Sequence, residues 1–192
     1  MDISYTSHSR AIPADEDRLV RQAQSGDVYA FAQLYEEYVE HVYLYITFRV
    51  ENDRVAEDLT VRVFCKAWEQ LDRYGVSGSS LIVWLYAIAL NEIIAYYRTH
   101  KRNAIQDSTV PLVAGDHYLS EDIQDMFELQ AMRDGLQFLT GEEQQILILK
   151  YIAGLPDKNI ARIMSMHENH VRAVEFRALH RLTAYLQEKE VI

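Results

Sequence analysis

Apolar positions recur at helical spacing along most of the chain. Residues 15–24 (DEDRLVRQAQ) read as a short helix with an acidic start at Asp15-Glu16-Asp17, ended by the turn Ser25-Gly26-Asp27. In the next stretch Phe31, Leu34, Tyr35, Tyr38, Val42 and Tyr45 keep helical spacing and are expected in a core. A third helix, from Asn52 to about Leu71, is expected to bury Val55, Leu59, Val63, Phe64, Ala67 and Trp68. The Gly/Ser loop DRYGVSGSS then precedes a long helix from about Ser80 to His100, whose first half is almost wholly apolar, as in the central helix of a bundle. Periodicity is lost over 103–120, which reads as a linker, and returns with the amphipathic EDIQDMFELQAMRDGLQFL from Glu121 onward. The pattern predicts an all-α fold of two small helical domains, 15–102 and 121–192, with a loosely attached tail over 1–14.

The second domain closes on a recognisable motif. An apolar helix from about Glu142 to Ala153 breaks at Gly154-Leu155-Pro156, a short helix runs through Ile160–Met164, and a polar turn over Ser165–His167 leads into a third helix. Glycine ends the first helix, and Pro156 suits the first turn of the next because its missing N–H has no partner there. Two short helices joined by a tight turn, with a basic helix second, describe a helix-turn-helix. At about 100° per residue, Val171, Val174, Ala178, Leu182 and Tyr185 form one stripe. Asn169, His170, Arg172, Ala173, Phe176, Arg177, His180 and Arg181 are assigned to the opposite arc. Such a face suits a solvated helix or a major groove, where Arg reads guanine and Asn reads adenine. An outward Phe176 favours the groove or a protein partner, since exposed aromatics have little structural purpose.

Composition changes this picture in two ways. The chain has 192 residues, 49% hydrophobic and 25% charged, with a formal net charge of −10. That charge opposes DNA binding by the protein alone, because affinity comes mostly from neutralised phosphates. A large basic partner making most of those contacts would reconcile the two. The single Cys65 excludes an intramolecular disulfide and a cysteine zinc cluster; it points to a reducing cytoplasm and is expected as a small core residue. The most hydrophobic run, Leu81–Leu90, is far short of the roughly 20 residues that span a bilayer, so no membrane insertion is expected. No glycine-rich phosphate loop or nucleophile–base set is legible, and His167-Glu168-Asn169-His170 lacks the spacing of a zinc motif. No catalytic residue, metal or cofactor is expected.

Both halves resemble bacterial RNA polymerase sigma factors of the compact extracytoplasmic function (ECF) type, which carry only a sigma-2 and a sigma-4 domain. The resemblance rests on Asp53, Ala56-Glu57-Asp58-Leu59-Thr60, Val63-Phe64, Ala67-Trp68, Trp84-Leu85-Tyr86, Ile88-Ala89, Asn91 and Arg98 in the first half. In the second it rests on Leu139, Glu143-Gln144, Tyr151, Gly154-Leu155, Ile160-Ala161, Met164, Val171-Arg172 and Arg177-Ala178-Leu179. It implies a transcription initiation factor with core polymerase, promoter DNA and an anti-sigma factor as partners. Carried over by position, Asp53, Glu57 and Asp58 would lie on the clamp helices of the largest polymerase subunit. The loop with Tyr74, Ser77, Ser79 and Ser80 would hold a flipped minus-ten base. Asn91, Arg98, Lys101 and Arg102 would contact the melted strand, while Arg172, Ala173, Phe176 and Arg177 would read the minus-thirty-five duplex. The chain departs from the family at Val61-Arg62, Leu81-Ile82-Val83, Leu90, Ala95 and His167. Three readings follow: an alternative sigma factor, a sigma-like interaction protein that does not melt promoters, and a free-standing helix-turn-helix repressor.

Overall fold

The computed structural model describes residues 15–50, 52–75, 80–104 (backbone alone from residue 100) and 134–188, every regular element of which is helical. The chain divides into two compact units, Met1–Gly115 and Asp116–Ile192. The tail over 1–14, the loop residues Ser77 and Ser79, and, up to residue 133, the linker expected over 103–120 and the helix expected from Glu121 lie outside the described residues, except that residues 103 and 104 are helical rather than linker.

The first unit contains α1 (Glu16–Gln24), α2 (Val28–Thr47), α3 (Asp53–Gln70) with a 3-10 turn at Leu71–Arg73, and α4 (Leu81–Ala104). Local chemistry sets the starts. Asp27 accepts hydrogen bonds from the Tyr29 and Ala30 amides to cap α2, and Asn52 does the same for α3 through the Val55 amide at 2.9 Å. Gly26, at φ 94°, makes the α1–α2 turn that a side chain would strain. α1 packs on α2, and α4 packs on both α2 and α3. Leu34, Val42, Tyr45, Leu59, Val63, Leu85, Tyr86 and Ile93 fill the space between them. Each buried aliphatic side chain there contributes about 1.5–3 kcal/mol.

Expectations about the core, and one about the length of the apolar run in α4, are corrected in this unit. Cys65 is exposed, because Leu59, Val63 and Ala67 set the inward stripe of α3 and Cys65 falls off it. Trp68 and Tyr35 are 40% and 38% exposed rather than buried. They form edge-to-face pairs with Phe31 and Phe64, at 4.9 and 4.8 Å between centroids, joining α2 to α3. Leu81–Thr99, at mean hydropathy 1.3, is long and apolar enough to cross a membrane by length and composition. The shorter run Leu81–Leu90 had hidden this. In the structure Leu85, Tyr86, Ala89 and Ile93 of that segment are turned into the bundle.

In the second unit, helical residues 134–137 precede α5 (Gly141–Leu147), which continues as a single π turn over Ile148–Ile152. Then come α6 (Asp157–Met164) and α7 (Glu168–Glu188). α7 packs against α5 and α6 over Ile146, Ile148, Leu149, Ile160, Val171, Val174 and Ala178. Thr140 and Glu143 form a reciprocal capping box at the start of α5. The helix expected as one α element over Glu142–Ala153 instead widens after Leu147, and Gly154 at φ 66° ends it. Pro156 sits one place earlier than expected, as the N-cap of α6, with extended backbone.

Candidate nucleic-acid interface

The turn between α6 and α7 is made by Ser165, whose φ of 55° places it in the left-handed region. The Met166 amide donates to the Ala161 carbonyl at 2.9 Å, closing a Schellman-type end to α6. The chain then reverses into α7, where the His167 carbonyl accepts from the His170 and Val171 amides at 2.9 and 3.1 Å. Val171, Val174 and Ala178 are fully buried, so the face of α7 opposite them is fixed in direction. Leu182 and Tyr185 continue that stripe only half-buried.

On the outward face stand Asn169, Ala173, Phe176, Arg177 and His180, all exposed, with Phe176 at 73%. Arg172 is exposed on this face too, while His170 and Arg181 lie nearer the buried stripe. Arg172 Nε donates to Asp157 Oδ2 at 3.0 Å, and its Nη2 lies 3.5 Å from Glu168 Oε2. His170 Nε2 lies 3.3 Å from Glu142. Arg181 donates to Glu143 Oε2 at 2.8 Å and stacks its guanidinium 5.5 Å over the Phe138 ring. Arg181 therefore leaves the outward arc assigned to it. It falls only about 60° from the centre of the buried stripe, close enough to reach the first turn of α5.

Asp157 is the electrostatic centre of the motif. Hydrogen bonds from Lys150 and Arg172 hold its carboxyl below the usual carboxylate range. On the other side of Lys150, Glu175 accepts from the Tyr151 hydroxyl at 2.8 Å. Burial, with this bond to Glu175, pushes the Tyr151 phenol up to about 12. The sequence reading assigned no role to Asp157. An acid at the first turn of α6 is favoured by the helix dipole in any case, so its type and place give no sign of these ion pairs.

In the first unit, Glu57 and Asp58 are exposed near the start of α3 and Asp53 is half-buried. Asn91, Ala95 and Arg98 are exposed along one face of α4; Lys101 and Arg102 follow in the same helix, their side chains outside the described residues. Tyr74 does not point outward. It is 8% exposed and packs on Trp84 at 5.1 Å, because the 3-10 turn after α3 carries it against α4. Ser80 turns inward too, its hydroxyl donating to Glu16 Oε2 at 3.3 Å. Sequence reasoning missed Glu16 and Gln24. Glu16 looked like a dipole-favoured first-turn acid, but it is 3% exposed and accepts from the Leu81 amide at 3.0 Å. Only its long-range partners reveal it, and no local pattern encodes them.

Family models for Sigma-70 region 2 and Sigma-70, region 4 match residues 34–103 and 135–184. The ECF RNA polymerase sigma factor BldN of Streptomyces coelicolor is 28% identical over 172 residues. That match takes in 88% of this chain and 65% of BldN, so the chain spans a little under two thirds of that relative. SigM of Bacillus subtilis, also an ECF sigma factor, is 28% identical over 154 residues, covering 79% of this chain and 92% of SigM. Among solved structures, CnrH in complex with the cytosolic domain of CnrY superposes at TM-score 0.71 and 21% identity, over 90% of this chain and 97% of that one. RpoE of Bartonella quintana, crystallised with the anti-sigma factor NepR, gives 0.69 at 22% identity, over 83% and 98%. Two all-helical units in the order region 2 then region 4, and two relatives of one kind, settle the assignment: the chain belongs to the sigma-70 family, in its ECF group.

Proposed function

We propose that this chain is an alternative sigma factor that brings core RNA polymerase to its own set of promoters. The observation that carries the reading is the fixed outward face of α7. Asn169, Ala173, Phe176 and Arg177 stand exposed on a helix whose other side is locked into a helix-turn-helix. In this reading α7 takes the minus-thirty-five duplex, and Asn91, Arg98, Lys101 and Arg102 of α4 take the melted minus-ten strand. The acidic start of α3 (Asp53, Glu57 and Asp58) meets a basic surface on the polymerase.

Val61 and Trp68 stand 57% and 40% exposed along the same α3. An apolar and acidic surface of this kind suits an anti-sigma factor that covers it until release. The setting is the bacterial cytoplasm, and the role is initiation rather than catalysis. Ala95 favours a second reading. It lies exposed between Asn91 and Arg98 where a polar contact to the strand would be expected, which fits a sigma-like protein that binds polymerase without melting DNA.

Run-off transcription with purified core polymerase on a genomic promoter library is expected to give transcripts that depend on this chain. Permanganate footprinting on one such promoter is expected to show reactive thymines in the minus-ten region. Transcripts absent across the library would sink the proposal; binding without reactive thymines would favour the second reading.

A further inference from the structure

Two carboxylates flank one edge of the Arg172 guanidinium. Nε donates to Asp157 Oδ2 at 3.0 Å, and Nη2 lies 3.5 Å from Oε2 of Glu168, one turn back on α7. Nε and Nη2 share one side of the planar fork, so both acids lie along that side. The end of the fork, Nη1 with the second N–H of Nη2, is what the side chain offers to an acceptor on DNA.

The two acids differ in what else they meet. Asp157 is 18% exposed, and its other oxygen takes the Lys150 ammonium, so its charge is answered within the fold. Glu168 is 45% exposed and, among the described residues, meets Arg172 alone. Its charge stays at the surface, on the first residue of α7. The leading residues of a recognition helix are those that enter a major groove. Phosphate is drawn to that place twice over, by the arginine and by the positive end of the helix dipole. A carboxylate beside both opposes each attraction, because phosphate is charged. It opposes far less a hydrogen bond to the neutral O6 and N7 of guanine. Glu168 therefore weakens the contact that carries no sequence information and spares the one that does.

An acid in a first turn and an i,i+4 ion pair also stabilise a helix wherever it stands. That role alone lowers stability on substitution and leaves the choice among duplexes as it was. Resting on the reading above, in which α7 takes the minus-thirty-five duplex, we propose that Glu168 is a specificity-determining residue of that contact: it holds Arg172 off the phosphate backbone and reserves it for a base edge.

The test uses holoenzyme reconstituted from core polymerase and the full chain, as wild type, Glu168→Gln, Arg172→Ala and the double variant. Glu188→Gln, exposed at the far end of α7, makes the same change of charge away from Arg172. Fluorescence anisotropy over a salt series measures binding to a duplex carrying the minus-thirty-five element of a promoter recovered by run-off transcription, and to a derivative with one changed base pair. Glu168→Gln keeps the size of the side chain and removes its charge. It is expected to lower the ratio of the two affinities about fivefold, mainly by tightening the derivative. It is also expected to steepen the fall of log affinity with log salt by about one, as one further phosphate contact does. In the double variant the slope is expected to return to that of wild type, and Glu188→Gln is expected to change neither quantity. A steeper slope that persists without Arg172, or an equal effect of Glu188→Gln, would mean charge alone and overturn the inference. Reduced thermal stability of Glu168→Gln with ratio and slope unchanged would mean a structural role only and overturn it as well. A wild-type holoenzyme indifferent to its minus-thirty-five bases would overturn the inference and the reading of α7 together.

Discussion

Arg172 shows how one side chain can belong to the fold and to the interface at once. Its Nε is bonded to Asp157 at 3.0 Å, while its side chain remains 59% exposed. The fork of the guanidinium leaves further N–H groups to donate elsewhere. Asp157 thus orients the side chain without burying it, and orientation matters where a bidentate contact to guanine is to be made. Arg172→Ala is expected to cost about 1–3 kcal/mol in discrimination at the minus-thirty-five element. Holoenzyme binding to promoters with scrambled upstream elements measures it. A phosphate contact would give a smaller loss spread evenly over all sequences, and unchanged binding to both promoters would remove Arg172 from the interface. The outward direction of Asn169, Ala173, Phe176 and Arg177 was legible in the sequence, because the period of 3.6 fixes it once Val171, Val174 and Ala178 are inside. Arg181 was not. An arginine on the flank can turn either way, and its choice depends on Glu143 and Phe138, which periodicity along α7 cannot reveal. Cys65 was misjudged because a tendency of the residue type was set above the stripe of the helix carrying it.

The helices themselves were the most legible part. Their starts are written in Asp27, Asn52 and Thr140 and their ends in Gly26 and Gly154, each a local signal with a local cause. What stayed hidden was traffic between elements, such as α1 holding α4 through Glu16, or α5 holding α7 through Glu143. The second case carries a pH dependence. Burial alone would raise the Glu143 carboxyl, but hydrogen bonds from the Thr140 amide and hydroxyl and from Arg181 outweigh it and bring it below its ordinary value of 4.5. Asp157 is lowered from 3.8 by Lys150 and Arg172. A carboxyl depressed in the folded state stabilises the fold fully above its unfolded value and loses that contribution as pH falls toward the folded one. The second unit is therefore expected to keep its stability down to about pH 5 and lose it progressively below about pH 4.5. Thermal unfolding of wild type and of Glu143→Gln across pH 3–7 is the measurement. Glu143→Gln is expected to be less stable at neutral pH and to show a shallower decline; identical slopes would show that the capping box carries no proton linkage.

At the scale of the whole chain the net charge of −10 governs what the protein can do unaided. The excess is uneven. Residues 105–133 hold Asp107, Asp116, Glu121, Asp122, Asp125 and Glu128 against Arg133 alone, which is about half of it. By contrast, acids and bases nearly balance over 134–188, where the helix-turn-helix lies. Acidic charge on the same chain as a reading helix lowers affinity for every duplex, cognate or not, because phosphate neutralisation and counterion release make up most of the binding free energy. It does not impair selection among sequences, which comes from contacts to base edges. Weak intrinsic affinity with intact selectivity suits a subunit that acts only when joined to a basic machine. The free chain on a 30-base-pair duplex carrying its minus-thirty-five element is accordingly expected to bind no tighter than about 10⁻⁵ M at physiological salt. With core polymerase present the same element is expected to be held about a thousandfold more tightly than a scrambled one. Fluorescence anisotropy over a salt series separates these cases. Nanomolar binding by the chain alone at 0.15 M salt would instead make it a free-standing repressor, since an affinity of that kind leaves nothing for a polymerase to add.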